Sequence, residues 1–335
     1  MKKLLLATAI AALSVSAAQA APTVYGKAFV TADYVNEEVD APGLNEDANS
    51  LQINSNSSRL GFKGSEAITA NTDVIYQYEA GIAIDGDNGD DNVAFTSRDT
   101  YLGLNNNKYG EFRFGRNTSS TDYINNVLVS DALFDNQSDL MADSGRRNNS
   151  ILWKAPKYNG LPLQVVAMYS ADETFVGDED DRDSGFGVSA MFDQGTGFTA
   201  GLSYDKDLNV EGGGDLIRGT TTVDMSKFAS LPLTLGALYQ VADYDATGGD
   251  EKGLMVSASM ALQNFAKPAS VYAQYTNTSD RFGLDGLDAS QIVIGGKYSY
   301  KPNMIAHAYA GMNELEDDTA SVETIAIGGG LEYLF

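Results

Sequence analysis

From Val24 onward the chain alternates. Val24, Gly26, Ala28, Val30 and Ala32 fall on one side of an extended backbone, and Tyr25, Lys27, Phe29, Thr31 and Asp33 on the other. Neighbouring side chains of a strand point to opposite faces, so the first face is apolar throughout and the second is mixed. The split recurs at Val74, Tyr76, Tyr78, Ala80 and Ile82 against Asp73, Gln77 and Glu79, and again at Leu163, Val165, Ala167 and Tyr169. Two architectures write this pattern. A soluble sandwich hides the apolar face in a dry core, whereas a transmembrane barrel turns it to lipid and keeps a wet interior. The period alone does not separate them.

The connections do. Strand-like segments fall near 23–35, 50–64, 72–84, 95–105, 109–117, 147–156, 161–171, 184–193, 197–205, 215–227, 232–243, 252–263, 268–278, 288–301, 303–313 and 322–335, about sixteen in all. Every second connection is short: Asn105–Lys108, Lys157–Gly160, Asp193–Gly197, Ala229–Leu231, Gln263–Lys267 and Lys301–Asn303. The others are longer and rich in carboxylates, among them Asn36–Ser50 and Ala171–Ser184. On an even number of strands this sorting puts the tight turns at one rim and the long loops at the other. That is the asymmetry of an all-β, antiparallel transmembrane barrel, and a sandwich has no reason for it. After Ala20 no apolar run approaches the roughly 18 residues of a membrane helix. A closed barrel is the other structure that pairs every backbone group in lipid.

One connection is about twice as long as the rest. Residues 118–146 carry Asp122, Asp131, Asp135, Asp139 and Asp143, with no Lys or Arg before Arg146. It is the third of the long-rim loops. An acidic segment between arginine-bearing strands is predicted to fold into the barrel and set the width and field of a pore.

The ends agree with export. Lys2 and Lys3 precede the apolar Leu4–Leu13, and Ala18-Gln19-Ala20 fits a small-x-small cleavage site. Residues 1–20 therefore read as a signal peptide and 21–335 as a single barrel domain. The formal charge is −24, and loss of Lys2 and Lys3 takes it to −26, which excludes nucleic acid as a partner. Cysteine is absent, so no disulfide staples the fold. Leu331, Tyr333 and Phe335 share one face of the last strand, as expected of a C-terminal insertion signal read by barrel-assembly machinery.

Other chemistries find little support. His307 is the lone histidine, and no HExxH or GxSxG is evident, so the chain does not read as an enzyme. Asp85-Gly86-Asp87-Asn88-Gly89-Asp90-Asp91 looks calcium-like but lacks the closing Glu of an EF-hand loop, and its Gly is one place off. No cofactor is expected beyond weak divalent cation binding by acidic outer loops. Trp153, Tyr101, Phe112, Phe114, Tyr298, Tyr300 and Tyr333 suit aromatic girdles or a subunit contact.

Several stretches resemble the general diffusion porins of Gram-negative outer membranes. They are Val24-Tyr25-Gly26-Lys27, Ser58-Arg59-Leu60-Gly61-Phe62-Lys63-Gly64-Ser65-Glu66, Ser97-Arg98-Asp99-Thr100-Tyr101-Leu102-Gly103-Leu104, Tyr109-Gly110-Glu111-Phe112-Arg113-Phe114-Gly115-Arg116-Asn117 and the terminal Phe335. The resemblance implies a sixteen-stranded barrel, usually a homotrimer, whose third long loop folds inward. It implies passive diffusion of ions and small hydrophilic solutes, with outer-membrane lipid and lipopolysaccharide around the barrel. It also implies a basic wall at Lys27, Arg59, Arg98 and Arg147, with Arg146 as the alternative to Arg147, and a subunit contact at Arg116. The facing carboxylates are expected at Asp131 and Asp135, then Asp139, with Asp131 or Asp135 opposite Arg98. Here the chain departs from the best-known members. It reads Val129-Ser130-Asp131-Ala132-Leu133-Phe134-Asp135 in place of their Pro-Glu-Phe-Gly-Gly. A substrate-specific channel for sugars or carboxylates is the alternative, and the net charge predicts moderate cation preference.

Overall fold

The structure is a computed structural model that describes residues 21–86, 95–157, 161–172 and 184–335. The N-terminal segment 1–20, residues 87–94 with most of the calcium-like stretch, the turn 158–160 and the carboxylate-rich 173–183 lie outside the described residues.

Seventeen strands follow one another in the described residues. They are β1 (Thr23–Ala41), β2 (Leu44–Ser55), β3 (Arg59–Thr69), β4 (Thr72–Ile82), β5 (Phe95–Asn106), β6 (Gly110–Thr118), β7 (Arg146–Lys154), β8 (Leu163–Ser170) and β9 (Gly185–Asp193). Then come β10 (Phe198–Lys206), β11 (Gly214–Asp224), β12 (Leu233–Tyr244), β13 (Gly249–Leu262), β14 (Ala269–Ser279), β15 (Asp288–Lys301), β16 (Met304–Glu316) and β17 (Ser321–Leu334). All lie in one antiparallel sheet, and β17 pairs back onto β1 from Lys27↔Leu334 to Asp40↔Ser321.

Two of the seventeen are one stave. β1 pairs with β2 along its second half and with β3 along its first, and the break falls at Asn56–Ser58, where Ser57 takes φ of 50°. Seventeen segments less that break give a closed barrel of sixteen staves. Closure leaves no sheet edge to pair with strangers. The last residue seals the seam: Gly26 N donates to Phe335 O at 2.9 Å, and Phe335 N to Gly26 O at 3.1 Å.

The alternation divides the sheet as expected. Val24, Tyr34, Leu51, Leu102, Leu202, Ile217, Tyr239, Ile294 and Ile327 are exposed, while Thr31, Asp33, Arg218, Gln240, Glu251 and Gln274 on the other parity are buried. An apolar exposed face above a polar buried one inverts the order of a soluble protein and fits a barrel bathed in lipid.

Two expectations need correction. Asn36–Ser50 is not a loop: β1 runs to Ala41 and β2 starts at Leu44, turning at Pro42-Gly43 with Gly43 at φ of 85°. Its carboxylates stand on a paired ladder, Glu38 opposite both Asp47 and Glu323. Backbone pairing to strands on both sides outweighs like-charge repulsion among exposed groups, which water screens. Tyr101 does not join a girdle. It has the parity opposite to Leu102 and lies buried, with the Arg113 guanidinium 4.5 Å above its ring.

Candidate functional site

The segment between β6 and β7 holds three short 3₁₀ turns, Ser120–Ile124, Ala132–Phe134 and Gln137–Asp139. An irregular segment cannot pair its own backbone, so its buried N–H and C=O groups need partners elsewhere. The polar face of the sheet supplies them. Thr220 Oγ1 donates to Ile124 O (2.9 Å) and Ser257 Oγ to Val127 O (2.6 Å). Gln274 Oε1 accepts from the N–H groups of Val129 (3.0 Å) and Ser130 (3.3 Å). Ala142 O receives Gln240 Nε2 (2.7 Å) and Arg218 Nη2 (2.9 Å), and Ala142 N donates to Glu251 Oε1 (2.6 Å).

Apolar contacts complete the docking. Phe134 is buried among Phe29, Tyr272, Val293, Tyr309 and Ala326, and its ring meets Tyr309 edge-on at 5.9 Å. Val127 and Met141 pack on Leu238 and Met255. The segment therefore lies along β9–β16 and reaches β1, always on the polar face.

Its tip carries the acids. Asp131 Oδ2 is 2.5 Å from Lys297 Nζ on β15 and 3.8 Å from His307 Nδ1 on β16, while His307 Nε2 meets Glu332 Oε2 of β17 at 3.0 Å. Asp135 lies 3.5 Å from Ser57 Oγ at the β2–β3 break. Burial pushes the Asp135 carboxyl above its ordinary value; the neighbouring Asp131 adds to this, and Lys27 and Lys297 oppose it. Asp139 stays exposed and accepts from Asn136 Nδ2 at 2.5 Å.

The basic residues take separate places. Lys27 stands opposite Arg59 in the β1–β3 register, its Nζ 5.3 Å from the Phe29 ring. Arg98 Nε binds Glu79 Oε1 at 2.5 Å, Arg59 Nε approaches Glu79 Oε2 at 3.9 Å, and Tyr25 donates to the same carboxylate at 2.9 Å. Glu79 sits where the β4–β5 register slips between Tyr78 and Ala80. Thus Arg98 meets Glu79, and Asp131 meets Lys297. Arg146 binds Asp99 at 2.8 Å, at the base of the segment. Arg147 stands opposite Asn117 in the β6–β7 pair. Arg116, on the parity of exposed Phe114, donates to Ser97 O (3.1 Å) and Asn148 Oδ1 (2.6 Å).

Sequence reasoning passed over Lys297, Glu332 and the charge-bearing role of Glu79, although parity puts Glu332 opposite Tyr333 and Glu79 on the polar side. It also missed the buried pairs Arg218–Asp143 (3.1 Å) and Arg281–Glu251 (3.1 Å). Arg281 reaches on to Ser138 O at 2.6 Å. Nothing local marks Arg218 as a loop anchor, because its partners lie far away in the chain.

Comparison with known proteins follows the same line. The sequence profile of a family described as Gram-negative porin matches residues 6–318. Outer membrane protein S2 of Salmonella typhi is 27% identical over 363 aligned residues, covering 95% of this chain and 94% of that protein. An outer membrane porin protein of Bordetella pertussis is 26% identical over 255 residues; the match takes in 70% of this chain and 65% of that protein's own length. Among solved structures, an anion-selective porin from Comamonas acidovorans superposes with a TM-score of 0.71 at 21% identity, over 94% of this chain and 100% of that one. At that identity the likeness concerns the fold.

Proposed function

The chain belongs to the Gram-negative porin family of the outer membrane, and on that premise we propose that the polar face lines a water-filled lumen and that the segment 119–145 lies across it. Ions and small hydrophilic solutes then diffuse through the gap between Asp131 and Asp135 on the segment and Lys27, Arg59 and Arg98 on the wall. Arg147 and Arg146 continue the cationic row toward the base of the segment, and Asp139 extends the acidic side. The observation that carries this reading is the contact of Asp131 with Lys297 at 2.5 Å, which ties the acidic tip to the polar face.

Fixed cations facing fixed anions across a low-dielectric gap set up a transverse field. Water orients in it, so polar solutes exchange hydration for aligned groups, while bulky apolar ones lose. The guanidinium groups keep their charge at any physiological pH. Most close charges are paired, as in Arg98–Glu79 and Lys297–Asp131, and paired charges give field but little net sign. The sign falls to the exposed carboxylates Glu37, Glu38, Asp40, Glu46 and Asp47 on the β1–β2 hairpin, which favour cations at one mouth. A homotrimer is the assembly we assign, with Arg116 at the subunit contact and lipopolysaccharide and lipid around the outer face. The acidic hairpin and loops are suited to weak divalent cations bridging to lipid phosphates.

The test uses the absence of native cysteine. Asp131→Cys, treated with cationic and anionic thiol reagents during planar-bilayer recording, is expected to change conductance, with opposite shifts of reversal potential for the two charges. A conductance indifferent to both would overturn the lumenal position of the segment. Saturable block by one solute at low concentration would favour the substrate-specific channel; the observation on its side is Tyr123 and Tyr101, each with a cation over its ring on the polar face.

A further inference from the structure

Where the segment crosses the wall, glycine recurs beneath it. A Cβ added to Gly201 would lie 2.7 Å from Ile124 Cβ, and one on Gly236 3.0 Å from Val127 Cγ1. At Gly253 it would meet Met141 Sδ at 2.9 Å, at Gly311 the Phe134 ring at 2.9 Å, and at Gly187 Ser120 Oγ at 2.5 Å. These five glycines stand on β9, β10, β12, β13 and β16. None has a positive φ, so no turn or left-handed backbone requires them. Glycine weakens a strand interior, and its use there points to close approach of another chain segment.

The register sharpens the point. Gly236, Ser257, Gln274, Val293, Gly311 and Ala326 stand directly opposite one another from β12 to β17, as one continuous row. The segment follows that row. Ser257 and Gln274 bind its backbone at Val127, Val129 and Ser130, and Gly311 underlies Phe134. The row is a trough one side chain deep.

We propose that these glycines set the bore of the pore by fixing how close the segment lies to the wall. The proposal rests on the lumenal position of the segment argued above. A methyl group in the trough would lift the segment toward the cations on the other side and narrow the passage. No charge changes, so ion preference keeps its sign while conductance and size cut-off fall.

Gly236→Ala and Gly253→Ala are expected to lower single-channel conductance by tens of per cent and to slow larger neutral sugars more than small ones in liposome swelling. Gly219→Ala is the control, because the nearest atom to its added Cβ is the Tyr239 carbonyl oxygen, 4.0 Å away; it should conduct as wild type. Removing bulk from the partner should restore the bore in Gly236→Ala/Val127→Ala and Gly253→Ala/Met141→Ala, which delete the contacted Val127 Cγ1 and Met141 Sδ and Cε. Where a single variant fails to assemble, its paired variant decides, and one that assembles without wild-type conductance and cut-off overturns the proposal. Wild-type conductance in both single variants overturns it too. If Asp131→Cys responds to thiol reagents and the glycine variants do not narrow the pore, only this proposal falls. If Asp131→Cys does not respond, the lumenal reading falls and takes this with it.

Discussion

Asp131 on the β6–β7 segment and Lys297 on β15 meet at 2.5 Å, and His307 stands behind the same carboxylate at 3.8 Å. Both partners of the pair keep some access to water, with side-chain exposures of 22% and 33%. Such a pair is worth about 1 kcal/mol or less. Lys297→Met should therefore leave the barrel folded. It should increase open-channel noise and shift the reversal potential toward cations, because Asp131 loses its counter-charge. Lys297→Arg should restore both in planar-bilayer recordings.

Glu79 holds two guanidiniums, at 2.5 Å from Arg98 and 3.9 Å from Arg59. In Glu79→Gln the barrel loses a charge-assisted hydrogen bond worth roughly 1.5–3 kcal/mol. Two cations are left without their carboxylate, and the reversal potential in a salt gradient should move toward anions. An unchanged potential would mean that this side of the wall does not meet permeating ions.

Acidification should act on Asp135 early. Its carboxyl lies above the ordinary value, chiefly from burial, so it takes up its proton before exposed carboxylates do as pH falls. A raised carboxyl pKa makes the protonated form the one the folded state favours. Its contribution is complete below the unfolded value and is lost as pH rises through the folded one. As pH falls, cation preference should begin to decline before the exposed rim carboxylates take up their protons. Asp135→Asn should remove that early step while the later titration of the rim remains.

Phe134 fills a pocket on the polar face with 1% of its surface exposed. Phe134→Ala removes that anchor at a cost of roughly 3–5 kcal/mol to docking. The strands do not depend on it for their ladders. Limited proteolysis should cut the segment faster in the variant, while the far-ultraviolet β signal and heat-modifiable migration persist.

The terminal residue should matter for assembly. Deleting Phe335 removes both backbone hydrogen bonds to Gly26 at the seam, and with them the exposed ring beside Tyr333. Less heat-modifiable protein should reach the outer membrane, measured by fractionation, and the barrels that do form should conduct normally.

Much of this fold is legible because its rules are local. Alternation needs only neighbouring residues, so Leu102 outward and Arg113 and Lys27 inward could be read directly, whereas Arg98 shares the parity of Leu102 and turns inward only at the register slip between Tyr78 and Ala80. The sorting of short and long connections needs only counting, and it leads to sixteen staves and two unlike rims. Tyr101 obeys the same parity, which turns it inward although an aromatic residue is by type suited to a girdle. The Asn36–Ser50 hairpin escaped because its strands are held by neighbours on both sides rather than by their own residues.

The sequence by itself determined the class of structure, its membrane and the residues able to carry charge inside it. Only the tertiary structure decided which charges meet. Lys297 reaches Asp131 because closure of the sheet brings β15, β16 and β17 beside β1, under the tip of a segment that leaves from β6. Glu79, not Asp131, took Arg98, because a register slip between Tyr78 and Ala80 lies where the two strands pair. Pairing of this kind depends on curvature and on where an irregular segment finds partners for its backbone, and neither is written in the order of neighbouring residues.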